Sequence, residues 1–353
     1  MTNSSFTEYE YLLKKTTTSN KTVLVTGGAG YIGSHVVRQL GEAGYRIVVY
    51  DNFSTGSPES VLYGKLIKGD LRDINHLQQV FAQHNFSTVF HFAASLIVPE
   101  SIQRPLDYYV NNIQGTLNLL RCCDIFGIEK FIFSSTAAVY GNPQINPVTE
   151  DALTKPMNPY GCSKLASEWI IQDYARAYPL KYVILRYFNV AGSDPQGRIK
   201  PQAKKVKNLI SLVCDTALGR RPYIEIFGCD YPTPDGTAIR DFIHVEDLAS
   251  AHLSALHYLE QGYDSQIFNC GYGQGYSVQE VCSRVQEISG VNFPIVMANR
   301  RPGDPAQVVA CVDKVRKTLN WQFKHNCLDS IIRSTLASQA KLVPQPTLTA
   351  QFG

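Results

Sequence analysis

Nothing in this chain approaches the roughly 20 consecutive apolar residues that a membrane-spanning helix requires, so no membrane partner is expected. Its nine cysteines form no Cys-x-x-Cys pair and no Cys/His ligand spacing. That excludes a zinc framework, and no metal is assigned; an odd number of thiols, most of them among apolar residues, fits a reduced cytoplasmic protein. A large excess of one charge is also missing, since 33 Lys and Arg against 30 Asp and Glu leave a formal +3. No nucleic-acid partner is expected from that balance. Residues 1–20 are polar and lack the apolar core of a secretory signal, which predicts a flexible N-terminal extension. There is no internal repeat and no low-complexity tract.

What is present is a chain of 353 residues, 44% hydrophobic and 18% charged, with room for one large domain and a smaller lobe. From Lys21 to about Arg186 short apolar runs alternate with longer helical ones. Strands are predicted at Val23–Thr26, Arg46–Tyr50, Leu66–Lys68, Thr88–Phe92, Lys130–Ser134 and Tyr182–Leu185. Helices are predicted at Tyr31–Ala43, Ile74–His84, Leu106–Phe126 and Tyr160–Ala177. This alternation belongs to the α/β class, as a doubly wound parallel sheet covered on both faces, with ligands along the carboxyl ends of its strands. After about Pro195, loops rich in Gly, Pro and Asp separate shorter elements, which predicts a smaller C-terminal α/β substrate lobe. The helix Val245–Leu259 and the strand Gln266–Cys270 are candidates to rejoin the main sheet, and residues 343–353 are expected to be a loose tail.

The stretch from Val23 to Gly33 reads as a strand, a glycine turn and a helix beginning near Tyr31. Gly27, Gly30 and Gly33 stand where a Cβ would obstruct the turn, keep a pyrophosphate from the backbone, and hold the helix off the strand. The first N–H groups of that helix have no partner in the chain and present the positive end of its dipole to an anion. Such turns also serve as plain connections. The next strand ends at Asp51, 18 residues beyond Gly33. A carboxylate there accepts from both ribose hydroxyls of an adenosine and repels a 2′-phosphate, favouring NAD over NADP; a turn cap is the other reading. Residues 21–194 are therefore expected to form an NAD-binding Rossmann domain, and residues 195–342 mainly the substrate lobe.

Tyr160 and Lys164 are four apart on a predicted helix, hence on one face. A phenol, with an unperturbed pKa of about 10, is a poor base at neutral pH. A nearby ammonium and a positively charged nicotinamide stabilise the phenolate and make Tyr160 a general base, although the same spacing also occurs in surface pairs. A predicted strand ends at Ser134, which brings the hydroxyls of Ser135 and Thr136 to its carboxyl end. They stand ready for a substrate hydroxyl or for a local Ser/Thr turn.

Together, Gly27-Gly-Ala-Gly-Tyr-Ile-Gly33, His91-Phe-Ala-Ala94, Ser134-Ser-Thr136, Tyr160 with Lys164, Leu185-Arg-Tyr-Phe-Asn189 and Arg240-Asp-Phe-Ile-His-Val-Glu-Asp-Leu-Ala249 resemble the extended short-chain dehydrogenase/reductase family. The likeness is strongest to its branch of nucleotide-sugar 4-epimerases and covers roughly Lys21 to Ser338. It implies NAD over Gly27, Gly30, Tyr31, Ile32 and Gly33, with Asp51 and Asn52 on the adenosine ribose, Asp70 and Leu71 beside the adenine, and Phe92, Ala93 and Asn111 along the channel. It implies Tyr160 as base, Lys164 as its electrostatic partner and a cofactor contact, and Thr136, with Ser135 beside it, on the substrate hydroxyl. For a UDP-sugar it implies Asn189, Asn208 and Leu209, Phe227 near the uracil, Arg240 and Arg301 on the diphosphate, Asp304 on the uridine ribose and Val308 beside the sugar. Plainer alternatives are surface ion pairs for the two arginines, core packing for Phe227 and a loop brace for Asn189.

Three positions depart from the family pattern. Leu96 stands where many bacterial members have a lysine that helps hold the cofactor, which leaves retention to other contacts. The segment between Gly197 and Asn208 is short and basic, with Lys200, Lys204, Lys205 and Lys207. Val308 is small where some members carry a bulky aromatic, which leaves room for an N-acetyl group. Ala137 and Ala138 follow Thr136 where related dehydratases carry an Asp-Glu pair, so elimination is not expected. The expected activity is NAD-dependent, reversible 4-epimerisation of UDP-hexoses through a 4-keto intermediate. A uronate 4-epimerase, another nucleotide-sugar-modifying enzyme and a non-catalytic NAD-binding scaffold are the alternatives. The helices Leu106–Phe126 and Tyr160–Ala177 are apolar over much of their surface, which the resemblance assigns to a homodimer and simple burial to the core.

Overall fold

The computed structural model describes residues 21–200, 208–301 and 303–341. The expectations for residues 1–20, for Lys204, Lys205 and Lys207, and for the tail 343–353 lie outside those residues. The chain runs through β1 (Thr22–Thr26), α1 (Tyr31–Glu42), β2 (Arg46–Asp51), β3 (Lys65–Lys68), α2 (Ile74–Gln83), β4 (Phe86–His91), α3 (Val98–Gln103), α4 (Pro105–Tyr109), α5 (Gly115–Phe126), β5 (Lys130–Thr136), α6 (Pro159–Ala177) and β6 (Lys181–Tyr187). It continues through β7 (Asn189–Ala191), α7 (Leu209–Ala217), β8 (Ile224–Phe227), β9 (Ile239–His244), α8 (Val245–Glu260), β10 (Gln266–Cys270), β11 (Gly275–Ser277), α9 (Val278–Ser289), β12 (Ile295–Ala298), β13 (Gln307–Val308), α10 (Asp313–Leu319) and α11 (Leu328–Ala340).

Seven of these strands form one parallel sheet in the order β10-β6-β5-β4-β1-β2-β3. Side chains alternate along β1, so Val23 and Val25 join the apolar layer under α1 and α8, while Leu24 joins the layer under α2, α5 and α6. Because both faces are covered, the strands read as continuous apolar runs. From β1 the chain winds one way through β2 and β3, and the other way through β4, β5, β6 and β10. That reversal opens a crevice at the carboxyl ends, between β1 and β4.

The helix and strand flagged as candidates to rejoin the sheet do so. β10 pairs with β6 from Gln266 opposite Val183 to Cys270 opposite Tyr187, and α8 contributes Leu248 and Leu256 to the layer that holds Val36 and Leu40 of α1. Outside the large sheet, β9 pairs with β7, β11 and β13, and β8 with β12. Val213, Val281, Val285 and Ile332, from α7, α9 and α11, cover those small sheets. Among the described residues, no helix is long and apolar enough to cross a membrane, and no cluster of His, Cys, Asp and Glu is placed to hold a metal.

The helix predicted over Leu106–Phe126 is interrupted. A π turn, Val110–Gln114, joins α4 to α5. Such a turn takes in one extra residue and is frequent at functional sites. Here it carries Asn111 and Asn112 to the loop after β4, where Asn112 Oδ1 accepts the Ser95 N–H at 2.8 Å and Asn111 Nδ2 donates to Ser95 Oγ at 3.1 Å.

Candidate active site

β1 delivers the chain to Gly27, which has a φ of +70° and whose Cβ, if present, would stand 2.6 Å from the Ala93 backbone nitrogen. Conformation and space both demand glycine there. A Cβ on Gly33 would collide with the Gly27 carbonyl oxygen, because α1 begins that close to the end of β1. The N–H groups of Tyr31, Ile32 and Gly33, in the first turn of α1, have no helical carbonyl behind them. They border a cleft of about 900 Å³ that follows the carboxyl ends of β1, β2, β4, β5 and β6. Every residue expected to hold the cofactor lines it: Gly27, Gly30, Tyr31, Ile32, Gly33, Asp51, Asn52, Asp70, Leu71, Phe92, Ala93, Asn111, Tyr160 and Lys164.

At one end of this cleft, Asp51 Oδ2 accepts the Ala29 N–H at 2.9 Å and Oδ1 accepts the Phe53 N–H at 2.8 Å. The turn-cap reading of this carboxylate therefore holds, and each oxygen keeps a second lone pair that a ligand could use. Burial raises its pKa and the two backbone donors pull it back. The Phe53 bond also pins a non-glycine residue at φ +59°, a strained conformation. Asp70 receives the Arg72 guanidinium at 2.9 and 2.7 Å and Asn52 Nδ2 at 3.1 Å, and these donors hold its carboxyl well below the usual range. This end of the cleft is thus a set of fixed acceptors beside the apolar Leu71.

At the other end, Asn158 caps α6 by accepting the Gly161 N–H at 2.9 Å, with Pro159 in the first turn. A Cβ on Gly161 would lie 2.8 Å from the Ala138 carbonyl oxygen, so α6 starts directly on the turn that follows Thr136. This contact sets Tyr160 beside Thr136, whose hydroxyl favours the phenolate form and accepts the Ala138 N–H at 3.1 Å. One helical turn on, Lys164 Nζ donates to the Ser134 carbonyl at 2.8 Å and lies 4.9 Å from the centre of the Phe133 ring. Burial pushes the Tyr160 phenol up, against the Thr136 bond, and pushes the Lys164 ammonium down to about 7, against the pull of Glu168. The protein alone thus moves both groups toward their neutral forms.

The sequence places Ser135 beside Thr136 at the substrate. Neighbours on a strand face opposite ways, and the structure turns the Ser135 hydroxyl to Glu168 on the buried side. Asn208 lines the cleft, but its amide caps α7 through the Ser211 N–H at 2.8 Å and donates to the Val190 carbonyl at 3.0 Å. Asn189 is exposed on β7, and Leu209 packs with the apolar cluster of the second lobe. The other expected substrate residues do not line the cleft and form a second group on β8, β9, β13 and the loop between β12 and β13. The Arg301 guanidinium lies 3.7 Å above the Phe227 ring, Arg240 pairs with Asp304, and Val308 stands opposite Arg240 between β13 and β9. Val308 is 7% exposed in an apolar cluster that includes Phe188, and Phe188 lines the cleft. Arg240 thus forms an ion pair, the plainer reading, though a largely buried one, while Arg301 stacks on Phe227 instead of pairing with a carboxylate among the described residues.

Sequence reasoning passed over several residues of the cleft. Tyr187 and Phe188 stand at the carboxyl end of β6, where the general rule for such sheets points, and Tyr187 hydrogen-bonds His252 at 2.5 Å. Ser95 lies next to Ala93 and Ala94 but gave no signal without the π turn that reaches it. Glu168 was legible only as the next turn after Lys164.

A glycine cradle for a pyrophosphate, a ribose acceptor and a Tyr-Lys pair along one crevice define a dinucleotide-dependent enzyme of the Rossmann type. The profile of the NAD dependent epimerase/dehydratase family matches residues 23–271, and the chain belongs to that family. It is 50% identical over 327 residues to a UDP-glucose 4-epimerase of Azospirillum brasilense, across 92% of this chain and 94% of that protein. The solved UDP-glucose 4-epimerase of Brucella ovis in complex with NAD is 41% identical, with a TM-score of 0.87, over 90% of this chain and 98% of that one. That of Bifidobacterium longum in complex with NAD+ and UDP is 38% identical, with a TM-score of 0.86, over 91% and 98%.

Proposed function

We propose that this protein catalyses the reversible, NAD-dependent 4-epimerisation of UDP-hexoses, interconverting UDP-galactose and UDP-glucose. The observation that carries the reading is the placing of Tyr160, Thr136 and Lys164 in the same cleft as the Gly27–Gly33 cradle. The cradle fits a dinucleotide, since Cβ atoms at Gly27 and Gly33 are excluded where a pyrophosphate needs the backbone. Gly27, Gly30 and the first N–H groups of α1 would hold the pyrophosphate, Asp51 the adenosine ribose, and Lys164 the nicotinamide ribose. NAD held there would supply a reversible two-electron hydride acceptor for C4 of the sugar.

Tyr160, as phenolate, takes the proton of the sugar's 4-hydroxyl and later returns it. Thr136 holds that hydroxyl in line, and the Lys164 ammonium stabilises the phenolate. The 4-keto sugar turns within the cleft while its UDP stays fixed, so that the second delivery reaches the opposite face. Phe227, Arg240, Arg301 and Asp304 are assigned to the UDP, where paired arginines suit a diphosphate. In this assignment residues 21–194 bind the cofactor and 195–342 mainly the nucleotide sugar, apart from α8, β10 and α10. Acceptance of N-acetylated sugars is part of this reading, with the small Val308 behind Phe188 as the position to test.

Incubation with UDP-galactose, UDP-N-acetylgalactosamine and UDP-galacturonate, with and without added NAD, tests the reading. Conversion of UDP-galactose that falls at least about 100-fold in Tyr160→Phe is expected. Silence on all three with NAD present refutes it, and conversion of the uronate alone replaces it with uronate epimerisation. We further propose a cytoplasmic homodimer. All nine cysteines are unpaired, and Leu106 and Trp169, on α4 and α6, are 75% and 56% exposed. Sedimentation of the purified protein as a monomer refutes the dimer.

A further inference from the structure

Behind Tyr160 and Lys164 lies a buried polar network that proton transfer as described leaves unused. Its centre is Glu168, wholly buried on α6 one turn beyond Lys164. Glu168 accepts from the Ser135 hydroxyl, from Arg186 Nε at 3.1 Å and from a terminal Arg186 nitrogen at 2.7 Å. Arg186 in turn donates to the Tyr140 hydroxyl at 2.9 Å and the Glu150 carbonyl at 3.1 Å, and Tyr140 donates to Asn269 Oδ1 at 2.7 Å. The network therefore joins β5, the turn after Thr136, α6, β6 and β10.

We propose that Glu168 is a positioning residue for the Tyr160–Lys164 pair, its carboxylate, locked by Arg186 and Ser135, holding the Lys164 ammonium charged and in place beside the phenol. The proposal rests on the function given above. Lys164 needs such a partner because its one described hydrogen bond goes to the neutral Ser134 carbonyl, in a site with almost no water contact. The groups around it are known. His91 faces it from β4, with its imidazole held well below its ordinary range by burial and by Lys164 itself, and so adds no charge. β5 contributes the Phe133 ring and the Ser134 carbonyl, β6 contributes Tyr187, and α6 contributes Tyr160 and Glu168. Around Glu168 stand Ser135, Arg186 and Tyr182. Among these, Glu168 is the anion that raises the Lys164 pKa against burial. The bidentate Arg186 fork holds that carboxylate in place, one helical turn from Lys164 on the same face of α6.

The test titrates Lys164 directly, by NMR of isotopically labelled lysine side chains, with Lys164→Arg assigning the signal. Glu168→Gln is expected to move the Lys164 midpoint down by about one unit or more, the usual size for loss of a nearby opposite charge. Glu168→Asp is expected to restore most of it. Because Glu168→Gln strands the buried Arg186 charge, the double variant Glu168→Gln/Arg186→Met is measured beside it and must show a shift of the same sign. An unmoved midpoint in either folded variant overturns the proposal. So does a shift in the single variant that vanishes in the double, since Arg186 alone then produced it. UDP-galactose turnover against pH is followed in parallel, and the alkaline limb is expected to move down with the midpoint. Wild-type silence in that assay refutes the function and leaves the titration to decide the role of Glu168.

Discussion

Gly161→Ala probes whether the start of α6 controls catalysis. The added methyl would sit 2.8 Å from the Ala138 carbonyl oxygen and 3.0 Å from Pro156 Cβ, against an ordinary contact of at least 3.4 Å. The nearer neighbour is backbone, fixed in the turn after Thr136, so α6 must retreat by about 0.6 Å. Overpacking of this kind costs about 1–3 kcal/mol, offset by up to about 1 kcal/mol from the better helix propensity of alanine. A melt lowered by a few degrees is expected. The larger effect is on rate, because Tyr160 moves with the helix while Thr136 stays on β5. Displacements near 1 Å lower turnover by about 100-fold, so a loss of about tenfold or more in kcat is expected, with NAD retained. Thermal melts and initial rates on the same preparation measure both. A variant that melts higher and keeps its kcat refutes the reasoning, since helix propensity would then outweigh a contact that does not position the base.

Lys164→Met is expected to stabilise the protein at neutral pH. The folded pKa of Lys164, about 7, lies below its unfolded value, so between about pH 7 and 10 the unfolded chain binds more protons and wild-type stability rises with pH. The advantage of the Met variant should be largest at and below pH 7 and shrink toward pH 10, and a difference constant with pH in denaturant titrations contradicts the burial argument. Gly33→Ala drives a Cβ into the Gly27 carbonyl; NAD bound after gel filtration should fall at least about tenfold, and full retention contradicts the cradle. Arg301→Ala should raise KM for the UDP-sugar by about tenfold with kcat little changed, as loss of one charge-assisted contact requires; an unchanged KM removes Arg301 from the diphosphate.

The large sheet was readable because its physics is local. Strands covered on both faces leave short apolar runs, Gly30 and Gly33 are demanded by their contacts with the Gly27 carbonyl a few residues back, and Gly27 by its own φ of +70°. What escaped depended on contacts distant in sequence. Whether β10 paired with β6 was left open, since 78 residues separate the ends of those strands and an apolar five-residue run carries no address. The π turn was hidden because an extra residue in a helix barely disturbs its hydrophobic period, and its purpose, reaching Ser95, lies 16 residues back. Ser135 shows another limit: the strand was found, yet that its hydroxyl bonds Glu168 depended on a partner on another element. The second lobe was least legible, since Arg240, Asp304, Phe227 and Arg301 are joined by loops whose lengths fix no geometry.

The return of α8 and β10 to the large sheet means that the chain passes back and forth between its two layers. After β6 it leaves for β7, comes back for α8 and β10, leaves for β11 to β13, comes back for α10, which packs Val315 and Leu319 with the α1 layer, and leaves again for α11. Two bodies joined by one strand of chain can swing about it, be cut apart, or be exchanged as cassettes. Bodies sewn together at five places can do none of these. Ligands must then be admitted by local loop movement rather than by parting of the lobes, and neither lobe can be expected to fold when expressed alone. A change of sugar preference in such a protein would have to come residue by residue, around positions such as Val308, because the architecture leaves no seam along which a ready-made substrate lobe could be grafted.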